Sequence, residues 1–296
     1  MKFYTNVTRY GNQLLYRGYE NGHKKQEKIK YKPTLFVSTP KPTDWKSLDG
    51  TPVAPIQMDS MRDAKEWIHA NKSTAGRHIY GNDRYIPAFI NDTFPGTIEF
   101  DRNKINVTSF DIEVASDEGF PQPDAADYPV ISIAMKNNID NTYYVWGLND
   151  YDVSASLMKD NRVVYKKCSS EAESTIDYLE LFQKFGYSYG NQESYRLDHI
   201  ASVVLGEKKL SYAEHGSLHT LYKFDHQKFI DYNIKDVELV DRMEDKMGLI
   251  TLCLTMAYQG GVNYADTFGV TSIWESIIHR YLYANKTAIP FYENKI

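Results

Sequence analysis

Cysteine is scarce: Cys168 and Cys253 are the only two, and they stand 85 positions apart (253 − 168) with no spacing suited to a metal. That excludes a disulfide-stapled secreted scaffold and a cysteine-bound zinc site, and predicts buried thiols in a reducing compartment. An excess of positive charge is also missing. With 34 Lys and Arg against 39 Asp and Glu, the formal charge is −5, so no global field gathers nucleic acid and any DNA contact must be local. No apolar run approaches the roughly 18 residues of a membrane span, and no leader-like segment opens the chain, which predicts a soluble, unexported protein. Internal repeats and low-complexity tracts are absent. Apolar and aromatic residues are plentiful, at 42% and 14% of the 296, including 24 Tyr, enough to build real cores. The length predicts two domains.

The most informative stretch is Ser109-Phe110-Asp111-Ile112-Glu113, which sets two carboxylates two positions apart in an apolar, β-branched run. Side chains alternate on an extended strand, so Asp111 and Glu113 project together while Phe110 and Ile112 face a core on the other side. Paired hard oxygens suit a divalent metal of the kind that clamps the attacking and leaving oxygens in phosphoryl transfer. Taken alone, an Asp-x-Glu is also what an edge strand turns to solvent. A second pair lies on a helix predicted from about Asp225 to Lys246, with Asp225 as N-cap and Phe229, Ile230, Asn233, Ile234, Val237 and Val240 as its apolar stripe. Tyr232 and Asp236 are four apart and share a face of that helix, offering a phenol and a carboxylate to one small volume. By itself this pair also reads as a solvated Asp beside a half-buried Tyr. Together the two pairs favour a site.

Up to about Phe100 the pattern is mostly short strands, with Gly11-Asn12 and Asn21-Gly22 as turns. One helix interrupts it, from Met61 to Ala70, capped by Asp59 or Ser60. Lys24, Lys25, Lys28, Lys30 and Lys32 alternate with Ile29 and Tyr31, and are read as a solvated hairpin strand ahead of a phosphate-binding patch. Strands are expected at Ile105 to Val114, Val130 to Ala134 and Thr142 to Trp146, with a loop at Gly119 to Pro123. Gly260-Gly261 separates two late helices. The second, about Thr271 to Asn285, carries a broad apolar face of Ile273, Trp274, Ile277, Ile278, Tyr281 and Leu282.

These pairs, together with the blocks Tyr31-Lys32-Pro33-Thr34-Leu35-Phe36, Met61-Arg62-Asp63-Ala64, Ser194-Tyr195-Arg196-Leu197-Asp198 and Thr271-Ser272-Ile273-Trp274, give the chain a nearly end-to-end resemblance to one family. It resembles the N-terminal half of the family B DNA polymerases of T-even-like bacteriophages. The Asp111/Glu113 strand is similar to that family's first 3′-5′ exonuclease motif, and Tyr232/Asp236 to its third. The resemblance implies an α/β fold, α+β overall. A mixed α+β N-terminal domain is expected over 1–104, a truncated ribonuclease H-like exonuclease domain over 105–247, and a helical return segment over 248–296 packing on the first. It implies Mg2+ or Mn2+ held by Asp111, Glu113 and Asp236, with Tyr232 orienting the attacking water. The implied partners are a single-stranded DNA 3′ end or primer-template and a separate polymerase chain, with no membrane, in the cytoplasm of an infected bacterial host.

One block of the family pattern is missing. Its second exonuclease motif, of the Asn-x-x-x-Phe-Asp type, supplies a further metal-binding Asp, and nothing like it stands between Glu113 and Tyr232. Phe224-Asp225 is the sole Phe-Asp pair in that interval; it lies 11 residues before Asp236 (236 − 225), lacks the upstream Asn, and reads as a helix cap. Asp111 and Asp236 are 125 positions apart (236 − 111), less than in the family, which implies an internal deletion with its junction near 171–175. Asp177 and Asp198 are the nearest acids to weigh as substitutes, and neither is chosen. Phe120 is a candidate for stacking on an unpaired base. The expectation is a proofreading exonuclease part that is weak or inactive, the alternative being a non-catalytic DNA-binding or polymerase-docking fragment.

Overall fold

The computed structural model describes residues 1–72, 74, 76, 78–115, 128–158, 162–167, 178–289 and 291. Phe120 and its loop, Cys168, the junction at 171–175 and Asp177 lie outside the described residues. The structure is mixed α and β, and it divides into two compact units: Met1–Asp101 with Thr251–Ile296, and Arg102–Ile250.

The first unit opens with an antiparallel meander of β1 (Lys2–Tyr10), β2 (Gln13–Glu20) and β3 (His23–Ile29). Asn21 and Gly22 join β2 to β3 with φ of 51° and 84°, the left-handed backbone that a two-residue hairpin turn needs at both central positions. On β3, Lys25 pairs with Glu20 at 3.0 Å and Glu27 at 3.3 Å, and Lys28 lies 4.0 Å from the Tyr10 ring centroid. This is a solvated hairpin strand. Next come β4 (Thr34–Ser38), β5 (Trp45–Ser47), β6 (Pro52–Gln57) and β7 (Ile79–Gly81), four members of a five-stranded sheet. Helix α1 (Met61–Asn71) starts at Ser60, whose Oγ accepts the Asp63 N–H at 3.2 Å and so satisfies one orphan donor of the first turn. Helix α2 (Tyr85–Thr93) departs from the expectation of a single helix in this region. Pro87 sits in its first turn, where no intrahelical N–H is needed, and Phe89 and Ile90 are its buried face.

The second unit holds β8 (Thr108–Val114), β9 (Val130–Asn137), β10 (Thr142–Gly147) and β11 (Arg162–Lys167), in the order β11-β10-β9-β8. All neighbours are antiparallel except β10 and β11. Helices α3 (Tyr178–Phe185), α4 (Leu197–Leu205), α5 (Leu218–Phe224) and α6 (His226–Met247) follow. The cap of α6 is Asp225, which accepts the Lys228 N–H at 3.0 Å, and its end is Gly248 at φ 63°. Phe229, Ile230, Ile234 and Val237 of α6 form one core with Ala134, Tyr143 and Val145 of the sheet. Helix α6 therefore lies on the acid-bearing side of β8 and β9. The opposite side differs from expectation: Phe110 and Ile112 are 42% and 43% exposed rather than core residues, because the helix covers only one face of the strand.

The chain then returns to the first unit through α7 (Leu249–Gly260), α8 (Val270–Ala284) and β12 (Thr287–Ala288), which runs parallel to β5 and completes the order β12-β5-β6-β4-β7. Tyr4 donates its hydroxyl to Val262 O at 2.5 Å, and the Asn263 side chain brackets Val7, accepting its N–H at 3.0 Å and donating to its carbonyl at 2.8 Å. The apolar face expected on α8 is split. Its buried side centres on Ser276, bonded to Gly261 O at 3.1 Å, while Trp274, Ile278 and Tyr281 are exposed. Among the described residues no helix is long and apolar enough to cross a membrane.

Candidate metal centre

Asp111 and Glu113 stand on β8 opposite Ala134 and Ser132 of β9. These small partners let α6 close over the strand pair. Two hydrogen bonds then fix the helix: Ser132 Oγ donates to Asn233 Oδ1 at 2.8 Å, and Asn233 Nδ2 donates to Asp111 Oδ2 at 2.6 Å. Asn233 is fully buried and both ends of its amide are engaged, as burial of a polar group requires. It was expected within an apolar stripe; it is a polar clasp between helix and strand. The result is that one carboxylate oxygen from each of Asp111, Glu113 and Asp236 lies within 4.8 Å of the others.

Tyr232 reaches the same volume from the preceding turn of α6, its ring edge-on to Tyr212 at 5.6 Å. A residue with no signal in the sequence pattern joins them. Lys209 Nζ donates to Asp236 Oδ2 at 2.5 Å and to the Tyr232 hydroxyl at 3.1 Å. Lys209 follows the Gly206 end of α4, one lysine among two in a charged turn, and nothing local marks it. Its placement comes from Asp198, whose Oδ1 accepts the Lys209 N–H at 2.9 Å. Asp198 is thus a positioning acid for the turn and not one of the clustered acids.

Burial dominates the electrostatics. It pushes the Glu113 carboxyl up to about 8, with help from the neighbouring charges of Asp111 and Asp236. Burial also raises Asp236 to about 6, outweighing the pull of Lys209, and raises Asp111 against Lys209 and the Asn233 amide. For Lys209, burial works downward, but the Asp236 carboxylate outweighs it and holds the ammonium above its usual range. Tyr232 is pushed up to about 12 by burial and by Asp236, so at neutral pH it is a phenol with a proton to give. At that pH the site holds a Lys209–Asp236 ion pair and a protonated Glu113.

These residues fit a hard divalent cation. Asp236 Oδ1 is buried with no hydrogen-bond partner among the described residues, an acceptor in want of a ligand. Three converging carboxylate oxygens repel one another unless protons or a cation intervene. Among the described residues no fourth acid, histidine or cysteine joins the group.

No family model matches the chain. It is similar to the protein described as DNA-directed DNA polymerase of Escherichia phage RB69, 26% identical over 98% of this chain and 42% of that protein. The same description is carried by a protein of Enterobacteria phage T4, 24% identical over 98% of this chain and 42% of its length. The chain thus spans less than half of these relatives. The first alignment runs over 384 positions, so at least 88 of them (384 − 296) have no counterpart in the present sequence. Near-complete coverage of this chain by both phage polymerases is consistent with its being an N-terminal fragment of a phage family B DNA polymerase.

Proposed function

We propose that this chain is the N-terminal and proofreading part of a phage replicative DNA polymerase, in which a ribonuclease H-like unit binds one divalent ion and turns over 3′-terminal DNA phosphodiesters weakly or not at all. The second unit, 102–250, is assigned as the shortened exonuclease domain. The first, with its return segment, is assigned as the N-terminal domain. What supports the reading is the convergence of Asp111 and Glu113 with Asp236 from a helix 125 positions later (236 − 111). The phage relatives make a viral protein acting in an infected host cell the matching setting.

Asp111, Glu113 and Asp236 would hold Mg2+ or Mn2+, which supplies Lewis-acid stabilisation and a lowered pKa for bound water. The chain's own groups then have definite tasks. The Tyr232 oxygen accepts from Lys209, which turns the phenol's own proton outward to orient a water or phosphate oxygen. Lys209 balances the charge of Asp236 and stands ready for an anionic phosphate. Asn233 holds Asp111 in place through its amide. The shortfall is on the leaving-group side, where the family pattern has another Asp and this sequence has none. Electrostatic stabilisation of developing charge is usually the largest catalytic contribution, so turnover falls steeply.

The test pairs a binding readout with an activity readout. Mn2+ raises the melting temperature of the wild type and leaves Asp111→Ala unmoved, while a 3′-labelled single strand is trimmed barely above background. Equal stabilisation of both proteins would refute the metal site. Brisk magnesium-dependent trimming, lost in Asp111→Ala, would refute the impairment.

A further inference from the structure

Two of the clustered acids each have one oxygen engaged by the protein. Oδ2 of Asp111 accepts the Asn233 amide at 2.6 Å, and Oδ2 of Asp236 accepts Lys209 Nζ at 2.5 Å, while Oδ1 of Asp236 is buried with no partner among the described residues. The Asn233 amide has no freedom to release its hold. It is fully buried, and its Oδ1 is taken by the Ser132 hydroxyl at 2.8 Å. An ionised carboxylate only accepts, so the amide must keep its NH2 end toward Asp111. Ser132 is itself 1% exposed and stands on β9 opposite Glu113, so the clasp is anchored in the sheet.

A donor fixed on one oxygen does more than hold a ligand still, because it leaves the carboxylate to meet an ion through the other oxygen alone. Single-oxygen ligation suits Mg2+ and Mn2+, compact octahedral ions of which the first keeps several of its waters. Ca2+ instead gathers about six to eight oxygens in a flexible shell and takes carboxylates through one oxygen or both. We propose that Asn233 is a positioning residue that sets the choice of ion: by holding Asp111 to one ligand oxygen, it favours Mg2+ and Mn2+ over Ca2+. The proposal rests on the reading of Asp111, Glu113 and Asp236 as ligands of one divalent ion. Lys209 restricts Asp236 in the same sense, but its charge opposes every cation alike. Asn233 is neutral, so its removal acts on geometry and leaves the charge of the centre as it was.

Titration calorimetry of the full chain with Mn2+ and, separately, with Ca2+ tests this at one fixed pH, so that loss of protons from the acids is common to both ions. In the wild type Mn2+ is expected to bind at least about tenfold tighter than Ca2+. Asn233→Ala frees Asp111 to chelate through both oxygens and is expected to narrow that ratio at least about threefold, Mn2+ weakening while Ca2+ holds or gains. A merely structural loosening weakens both ions together and leaves the ratio unmoved. Ser132→Ala removes only the hydroxyl that orients the amide and narrows the ratio in the same direction; it carries the test if melting in chelator shows that Asn233→Ala has not folded. An unchanged or larger ratio in the folded variants, or equal affinity for the two ions in the wild type, overturns the proposal and leaves the metal centre standing. Absence of Mn2+ binding by the wild type overturns the metal centre itself and the proposal with it.

Discussion

Removing the ammonium of Lys209 leaves the Asp236 side chain, 4% exposed, with neither oxygen bonded. Stripping one partner from a buried ion pair costs roughly 3–5 kcal/mol, and because Lys209 reaches solvent in part the lower end, about 3 kcal/mol, is expected for Lys209→Met at pH 8. The loss shrinks at pH 5, below the value of about 6 at which Asp236 takes up its proton. Urea unfolding at the two pH values measures both. Glu113 gives a second titration signature. Folded, it keeps its proton to about 8; its ordinary value is 4.5. Between those values the folded state binds more protons than the unfolded one, so stability of the metal-free protein falls as pH rises and the contribution is gone above about pH 8. Glu113→Gln flattens this slope, most clearly above about pH 6 where Asp236 has already lost its proton, and melting temperatures in chelator across pH 5 to 8, about the stated window, check it. The acid pairs were legible because strand and helix spacing alone bring their members to one face. Lys209 was not, since its position is set by a tertiary hydrogen bond to Asp198, and Asn233 was misread because spacing says which face a residue occupies and nothing of what it meets there.

Among the elements, β8 and α6 differ in how much burial supports them. Phe229 of α6 is wholly buried in the sheet core, whereas Phe110 of β8 is 42% exposed on the far side. Truncating a core Phe costs about 3–5 kcal/mol, while a surface change away from special features stays within about 0.5–1 kcal/mol. Phe229→Ala should therefore cost several times as much as Phe110→Ala in urea unfolding, and equal losses would mean that the outer face of β8 is packed after all. Helix caps were readable from short-range sequence: Asp225, and Ser60 as one of two candidates with Asp59, each accept the N–H three positions on. Helix α2 escaped notice because its one signal, Pro87 ahead of Phe89 and Ile90, is as common in loops. On α8 the apolar pattern named the helix correctly but not its buried side, which depends on Ser276 meeting Gly261 and Asn91.

For the molecule as a whole, the first unit is made of two stretches separated by 149 residues (102–250). Its cohesion depends on the return segment, and Asn263 stands in for a strand neighbour by pairing both backbone groups of Val7. Asn263→Ala leaves a buried donor and acceptor unpaired, each worth about 1–3 kcal/mol, so a loss of about 2 kcal/mol or more is expected, measurable as a lower urea midpoint. Such long-range closure cannot be read from local periodicity; only the order of family-like blocks hinted at it. The missing second motif was legible as an absence; at least 88 positions of the first alignment (384 − 296) have no counterpart in this sequence. The central claim, one pocket of three acids that lacks the ligand for a second ion, is tested most directly by Mn2+ titration calorimetry with the ions counted. One ion per chain, lost in Asp111→Ala, is the expected result; two ions per chain, or none, would contradict it.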